Sequence, residues 1–118
     1  MIKNAIITST MLGREDHGIM TFNIGLKFNG GIYCGFGGYA LDFHDSDTKT
    51  RVFRAESMEM ISLILDVVGV DKWEDLPGKY VRFEDNGWGS TINKIGNIIE
   101  DKWLDVEDFF RKKDKTYD

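Results

Sequence analysis

Met20-Thr21-Phe22-Asn23-Ile24-Gly25-Leu26-Lys27-Phe28-Asn29-Gly30 is the stretch that decides how the chain is read. Met20, Phe22, Ile24, Leu26 and Phe28 are apolar, and Thr21, Asn23, Gly25 and Lys27 alternate with them. A period of two puts one set on a buried face and the other on a wetted face, which is the pattern of a β-strand. Asn29-Gly30 follows at once. A type I′ turn needs positive φ at both central residues, and this dipeptide is the strongest short hairpin signal. Ile32, Cys34 and Phe36 continue the alternation on a return strand.

Working outward, residues 2–12 are rich in Ile and Thr and read as a preceding strand, with a polar loop over 13–18. Past residue 54 the period changes. Met58, Ile61, Leu65 and Val68 fall at helical spacing, with Met60 and Ile64 widening the stripe. Gly69 stands where a left-handed residue closes a last helical turn. Asp71 is placed to cap one more short turn carrying Trp73 and Leu76, which Pro77-Gly78 ends. Lys79–Glu84 and Ser90–Ile98 read as a second hairpin around Asp85-Asn86-Gly87, with a break expected at Gly96. Asp105 is placed to cap a short helix over 106–113, with Glu107 and Asp108 early and Arg111, Lys112 and Lys113 late, as the helix dipole favours. The expectation is an α+β fold: an antiparallel β-sheet of hairpins packed with one main amphipathic helix and a short C-terminal helix. Hairpin-dominated order argues against a doubly wound nucleotide-binding fold, which needs parallel strands and crossovers.

Composition bounds the rest. The 118 residues carry 20 acids, 15 bases and a formal charge of −5, with 42% hydrophobic side chains. That predicts one folded domain, 1–118, with no basic surface for DNA or RNA. No apolar stretch approaches the roughly 20 residues of a membrane span, and the start lacks the apolar core of a secretory signal. A lone cysteine, Cys34, excludes an internal disulfide and fits a reduced, cytoplasmic setting.

Several stretches carry chemistry. Gly35-Phe36-Gly37-Gly38-Tyr39-Ala40-Leu41-Asp42 contains glycines that allow backbone to approach a ligand or a neighbouring chain; Gly37 and Gly38 are candidate ligand contacts, and the plain reading is a bulge at a strand end. It is neither a Rossmann fingerprint nor a P-loop. Asp42-Phe43-His44-Asp45-Ser46-Asp47 gathers carboxylates and an imidazole without the spacing of a calcium loop, and reads as a solvated acidic loop. His17 beside Asp16 reads as a hydrogen-bonded loop histidine, and Cys34 as a small buried hydrophobe. Arg82, Phe83, Trp88, Asn93 and Lys94 lie on the two arms of a predicted hairpin. An aromatic ring stacks on a flat heterocycle, an asparagine amide both donates and accepts at its edge, and the cations suit phosphate. The bland alternative makes Phe83 core and the rest surface. Arg111-Lys112-Lys113 is a basic run with two readings, dipole complementation or an arm over an anion. Phe109 and Phe110 before it are expected to dock the helix on the sheet or on a partner chain.

Four segments carry a family resemblance: Glu15-Asp16-His17-Gly18, Gly35–Asp42, Val70-Asp71-Lys72-Trp73-Glu74-Asp75-Leu76 and Ile95-Gly96-Asn97-Ile98-Ile99. Together they resemble small phage-encoded proteins that counter the Thoeris defence by sequestering its cyclic ADP-ribose signal, the first described class of these nucleotide sponges. The resemblance covers nearly the whole chain. It implies a non-enzymatic protein without cofactor or metal, in the cytoplasm of the host bacterium, that binds a glycosyl-linked cyclic ADP-ribose isomer and returns it unchanged. Some relatives also capture cyclic oligonucleotides, and oligomeric assemblies are found among them, so a homo-oligomer is implied. In that family an aromatic residue followed ten positions later by an asparagine contacts the ligand; here the pair is Phe83 and Asn93. Arg111 resembles a C-terminal basic contact.

Two rival functions fit the residues. One is a small phage inhibitor that binds a host defence nuclease by protein–protein contact, using the acids of 42–47, 71–75 and 105–108. The other is a metal-dependent enzyme built on Asp42, His44 and Asp45.

Overall fold

The alternation around residues 19–28 places that strand in the middle of an antiparallel pairing, and the rest of the sheet is built outward from it. The computed structural model describes residues 1–15, 17–87 and 91–116. Its strands are β1 (Ile2–Glu15), β2 (Ile19–Phe28), β3 (Ile32–Ala40), β4 (Asp42–Asp45), β5 (Thr50–Phe53), β6 (Tyr80–Glu84), β7 (Lys94–Asn97) and β8 (Trp103–Asp105). The helices are α1 (Ala55–Val68) and α2 (Val106–Thr116), with one 3-10 turn at Trp73–Asp75. Six strands form one antiparallel sheet in the order β3-β2-β1-β6-β7-β8, and β4-β5 pair separately. The fold is α+β, as the hairpin pattern predicts.

The Asn29-Gly30 turn has positive φ at both residues, 50° and 77°, and joins β2 to β3 in the expected register. Gly69 takes a left-handed φ of 92° and its N–H bonds the Leu65 carbonyl, closing α1. Asp105 Oδ1 accepts from the Asp108 N–H at 2.9 Å and starts α2.

Other expectations are corrected. Of the solvated acidic loop expected over 42–47, Asp42–Asp45 form β4 of a hairpin with β5 and Asp42 is drawn inward, while Ser46 and Asp47 stay exposed in the turn. Asp42 is 4% exposed and accepts from Arg51 Nη2 at 2.6 Å and from the Met20 N–H. Gly96 lies inside β7 and does not break it; β8 then adds a strand that the periodicity alone did not reveal. β1 runs on to Glu15, shortening the expected loop. The 3-10 turn begins after Lys72 without a side-chain cap, so Asp71 does not serve there. The buried face of α1 is Ser57, Met60, Ile64, Val67 and Val68, rotated from the stripe centred on Met58, Ile61 and Leu65.

The core joins Phe22, Ile24 and Leu26 of β2, Phe36 of β3, Val81 and Phe83 of β6, Ile95 of β7, and Met60 and Ile64 of α1. A parallel bridge between Phe36 and Ile92 brings the chain leading into β7 back against the outer strand β3. The sheet therefore curls until its β3 edge is partly covered, which protects paired backbone groups from water or another chain.

Candidate functional site

The bridge at Phe36 and Ile92 creates a seam, and the seam gathers much of what the sequence singled out. The residues that follow the bridge in the two segments are Gly37 and Asn93. Gly37 has φ 131°, and a Cβ at this position would stand 2.5 Å from the Phe22 carbonyl oxygen. The β2–β3 register shifts at this point, between Thr21 and Asn23. The glycine pair is thus a bulge that admits a neighbouring strand's backbone. Gly38, at φ 84°, has no heavy atom within 4 Å of a Cβ built on it, so its outer side is open.

Helix α2 covers the seam. The Asn93 amide donates from Nδ2 to Glu107 Oε2 at 3.1 Å, and the Asn93 carbonyl accepts the Val106 N–H at 2.9 Å. Glu107 and Arg111 stand one turn apart on the same helix face. Phe110 packs 6.4 Å from the Tyr39 ring, and the Arg54 guanidinium lies 5.0 Å from the Phe110 centroid. Phe110 therefore docks the helix on β3, one of the two roles expected for it. The Tyr39 hydroxyl is buried with no hydrogen-bond partner among the described residues. Burial, then the nearby Glu107 and Asp105 carboxylates, push its pKa up to about 12. It stays a neutral donor.

Phe83 does not belong to this surface. It is 0% exposed, packed edge-on against Phe28 with centroids 4.9 Å apart. The expected stacking of a ligand on Phe83, opposite Asn93, is corrected: the period of two in β6 turns Val81 and Phe83 inward together, and the core closes over both.

Arg82 and Lys94 face the other side of the sheet. Arg82, Gly96 and Trp103 sit side by side across β6, β7 and β8. The Trp103 ring lies flat on Gly96, where a Cβ would come within 2.6 Å of it. The Arg82 guanidinium and the Lys94 ammonium lie 4.7 and 5.3 Å from the ring centroid. Arg82 donates to the Asn97 and Glu100 carbonyls at 2.6 and 2.7 Å, and Lys94 is 3.9 Å from Glu84. These partners give the pair a structural role away from the seam. Trp88 and Asp16 lie outside the described residues.

The remaining candidates have internal duties. Arg111 and Lys112 both pair with Asp108, and Lys113 pairs with Glu59 of α1. Asp45 caps the β4–β5 turn through the Asp47 N–H and the Thr48 hydroxyl. Together with the buried Asp42–Arg51 pair, this leaves the proposed Asp42-His44-Asp45 set without a shared open position. Among the described residues no group of three or more His, Cys, Asp or Glu side chains is gathered for a metal. Cys34 is half-buried against the core, and burial, then Asp85, raise its thiol pKa, the opposite of a reactive thiolate. His17 adopts φ 65° in the β1–β2 turn.

Sequence reasoning missed Tyr39, Phe110, Glu107 and Arg54 as members of one surface. The available signal was weak: an aromatic ending the glycine-rich strand and an aromatic ahead of the basic run. Comparison with family models, characterised proteins and solved structures finds no match to this chain. Among the described residues no helix is long and apolar enough to cross a membrane.

Proposed function

We propose that this protein is a phage anti-defence sponge that captures a cyclic ADP-ribose-type signal and holds it unchanged. The reading starts from the family resemblance. The observation that carries it is the seam at the Phe36–Ile92 bridge, flanked in sequence by Gly37 and Gly38 on one side and on the other by Asn93, which bonds Glu107 of α2. Asn93 and Glu107 offer an amide and a carboxylate to ribose hydroxyls or an exocyclic amine. The Tyr39 and Phe110 rings take the stacking part first assigned to Phe83. Arg111, with two-thirds of its side chain in water, can exchange its Asp108 contact for phosphate. Among the described residues no nucleophile paired with a base stands at the seam, which favours holding over cleavage.

Calorimetric titration with cyclic ADP-ribose isomers, followed by chromatography of the released ligand, tests this. Binding with recovery of unaltered ligand is expected. Asn93→Ala should weaken it by at least about tenfold, the value of one hydrogen bond to a charged or well-placed partner. Absence of heat, or a chemically changed ligand, overturns the reading. The nuclease-inhibitor alternative has less to stand on, since the acids at Asp71, Glu74 and Asp75 share their shallow hollow with Lys72 and Lys79.

A further inference from the structure

The Tyr39 hydroxyl is buried and bonded to nothing among the described residues. A hydroxyl taken out of water with its hydrogen bond unmade works against folding, and phenylalanine would fill the same space without that cost. The side chain has little room to turn toward an acceptor. The Tyr39 carbonyl accepts the Thr21 hydroxyl at 2.7 Å, which fixes the backbone, and the ring packs against Phe22 and Phe110 with centroids 6.2 and 6.4 Å away. The nearby carboxylates, Glu107 and Asp105, keep the phenol protonated. Each is engaged elsewhere: Glu107 Oε2 accepts the Asn93 amide, and Asp105 Oδ1 accepts the Asp108 N–H. What stands beside the seam is therefore a fixed, neutral donor without an acceptor.

We infer that the Tyr39 hydroxyl is a preformed donor for a ribose hydroxyl of the bound nucleotide, which in turn donates to Glu107. The inference rests on the sponge reading and deepens it, because it names the part of the ligand that lies at this end of the site. Two carboxylates repel a phosphate oxygen, so the acceptor that suits Tyr39 is uncharged. A sugar hydroxyl both accepts and donates, and it completes the phenol on one side and meets a carboxylate on the other. A ring nitrogen or carbonyl would satisfy the phenol and leave Glu107 facing a lone pair. The approach is beside Gly38, the preceding residue, whose outer side is open. A donor already held in place loses no side-chain freedom on binding, which suits tight capture. The site should therefore prefer ribose to deoxyribose at one position of the ligand.

Calorimetric titration of wild type and Tyr39→Phe tests this, with a cyclic ADP-ribose isomer and with analogues of it that each lack one ribose hydroxyl. Tyr39→Phe should weaken binding of the intact isomer by about tenfold, as loss of one hydrogen bond does. One deoxy analogue should lose a similar factor against wild type and lose nothing further against the variant. Thermal unfolding of the ligand-free proteins should place Tyr39→Phe at or above wild type, since the fold gives up no bond. A lowered midpoint would show the hydroxyl satisfied within the folded chain or by a fixed water, and it overturns the inference. Equal affinity of wild type and variant, or equal losses for every deoxy analogue in both proteins, overturns it and leaves the sponge reading standing. A wild type that binds none of these ligands removes that reading and this inference together.

Discussion

Asp42 illustrates how a single carboxylate changes meaning once its surroundings are known. In the sequence it opens a run of acids and suggests solvent. In the fold it is the buried end of a pair with Arg51, and it also accepts the Met20 N–H, tying the β4–β5 hairpin to β2. The Arg51 hydrogen bond holds its pKa below the usual carboxylate value. A depressed folded-state pKa gives stability that is present above the unfolded value near 4 and is lost as pH falls through the folded one. Asp42→Asn should therefore lower stability by about 2 kcal/mol at pH 7. The gap between wild type and variant, measured by urea denaturation, should close between about pH 5 and pH 2. A gap independent of pH would show that the ionised carboxylate contributes nothing there.

Between residues and molecule stand the elements, and Asn97 is where three of them meet. Its Nδ2 donates to the Val67 carbonyl in the last turn of α1 at 2.8 Å, and its Oδ1 accepts the Ile99 and Glu100 N–H groups at 2.9 and 2.8 Å. One side chain thus satisfies an orphan helix carbonyl and two turn donors. Asn97→Ala should cost about 2–3 kcal/mol in thermal or urea unfolding, because several polar groups lose their partner at once. A loss under about 0.5 kcal/mol would mean that water replaces those bonds freely. Helix α1 itself was legible from its period, yet its orientation was not. Apolar side chains cover more than one face, and only packing against the curled sheet selects Met60 and Ile64 over Met58. The short β8 was illegible for a related reason. Three residues cannot display a period, and its pairing is set by the Trp103 ring lying on Gly96.

At the scale of the molecule, the curling of the sheet divides the candidate residues between a sealed core, a seam and an outer face. Phe83 falls in the core, so Phe83→Ala should cost about 3–5 kcal/mol in stability through the cavity it leaves. A near-wild-type unfolding midpoint would contradict that sealed placement. Local pattern alone determined the α+β class, the β1–β3 hairpin strands, the Asn29-Gly30 turn, the Gly69 helix end and the Asp105 cap. Each depends on side-chain alternation or on φ preferences within a few residues, which the chain carries wherever it goes. Tertiary structure decided which ring is buried, which face of α1 looks inward, and that Phe36 and Ile92, 56 positions apart in the chain, become neighbours. Those outcomes depend on closing long loops around one shared core, and no local spacing encodes which distant strand supplies the other wall.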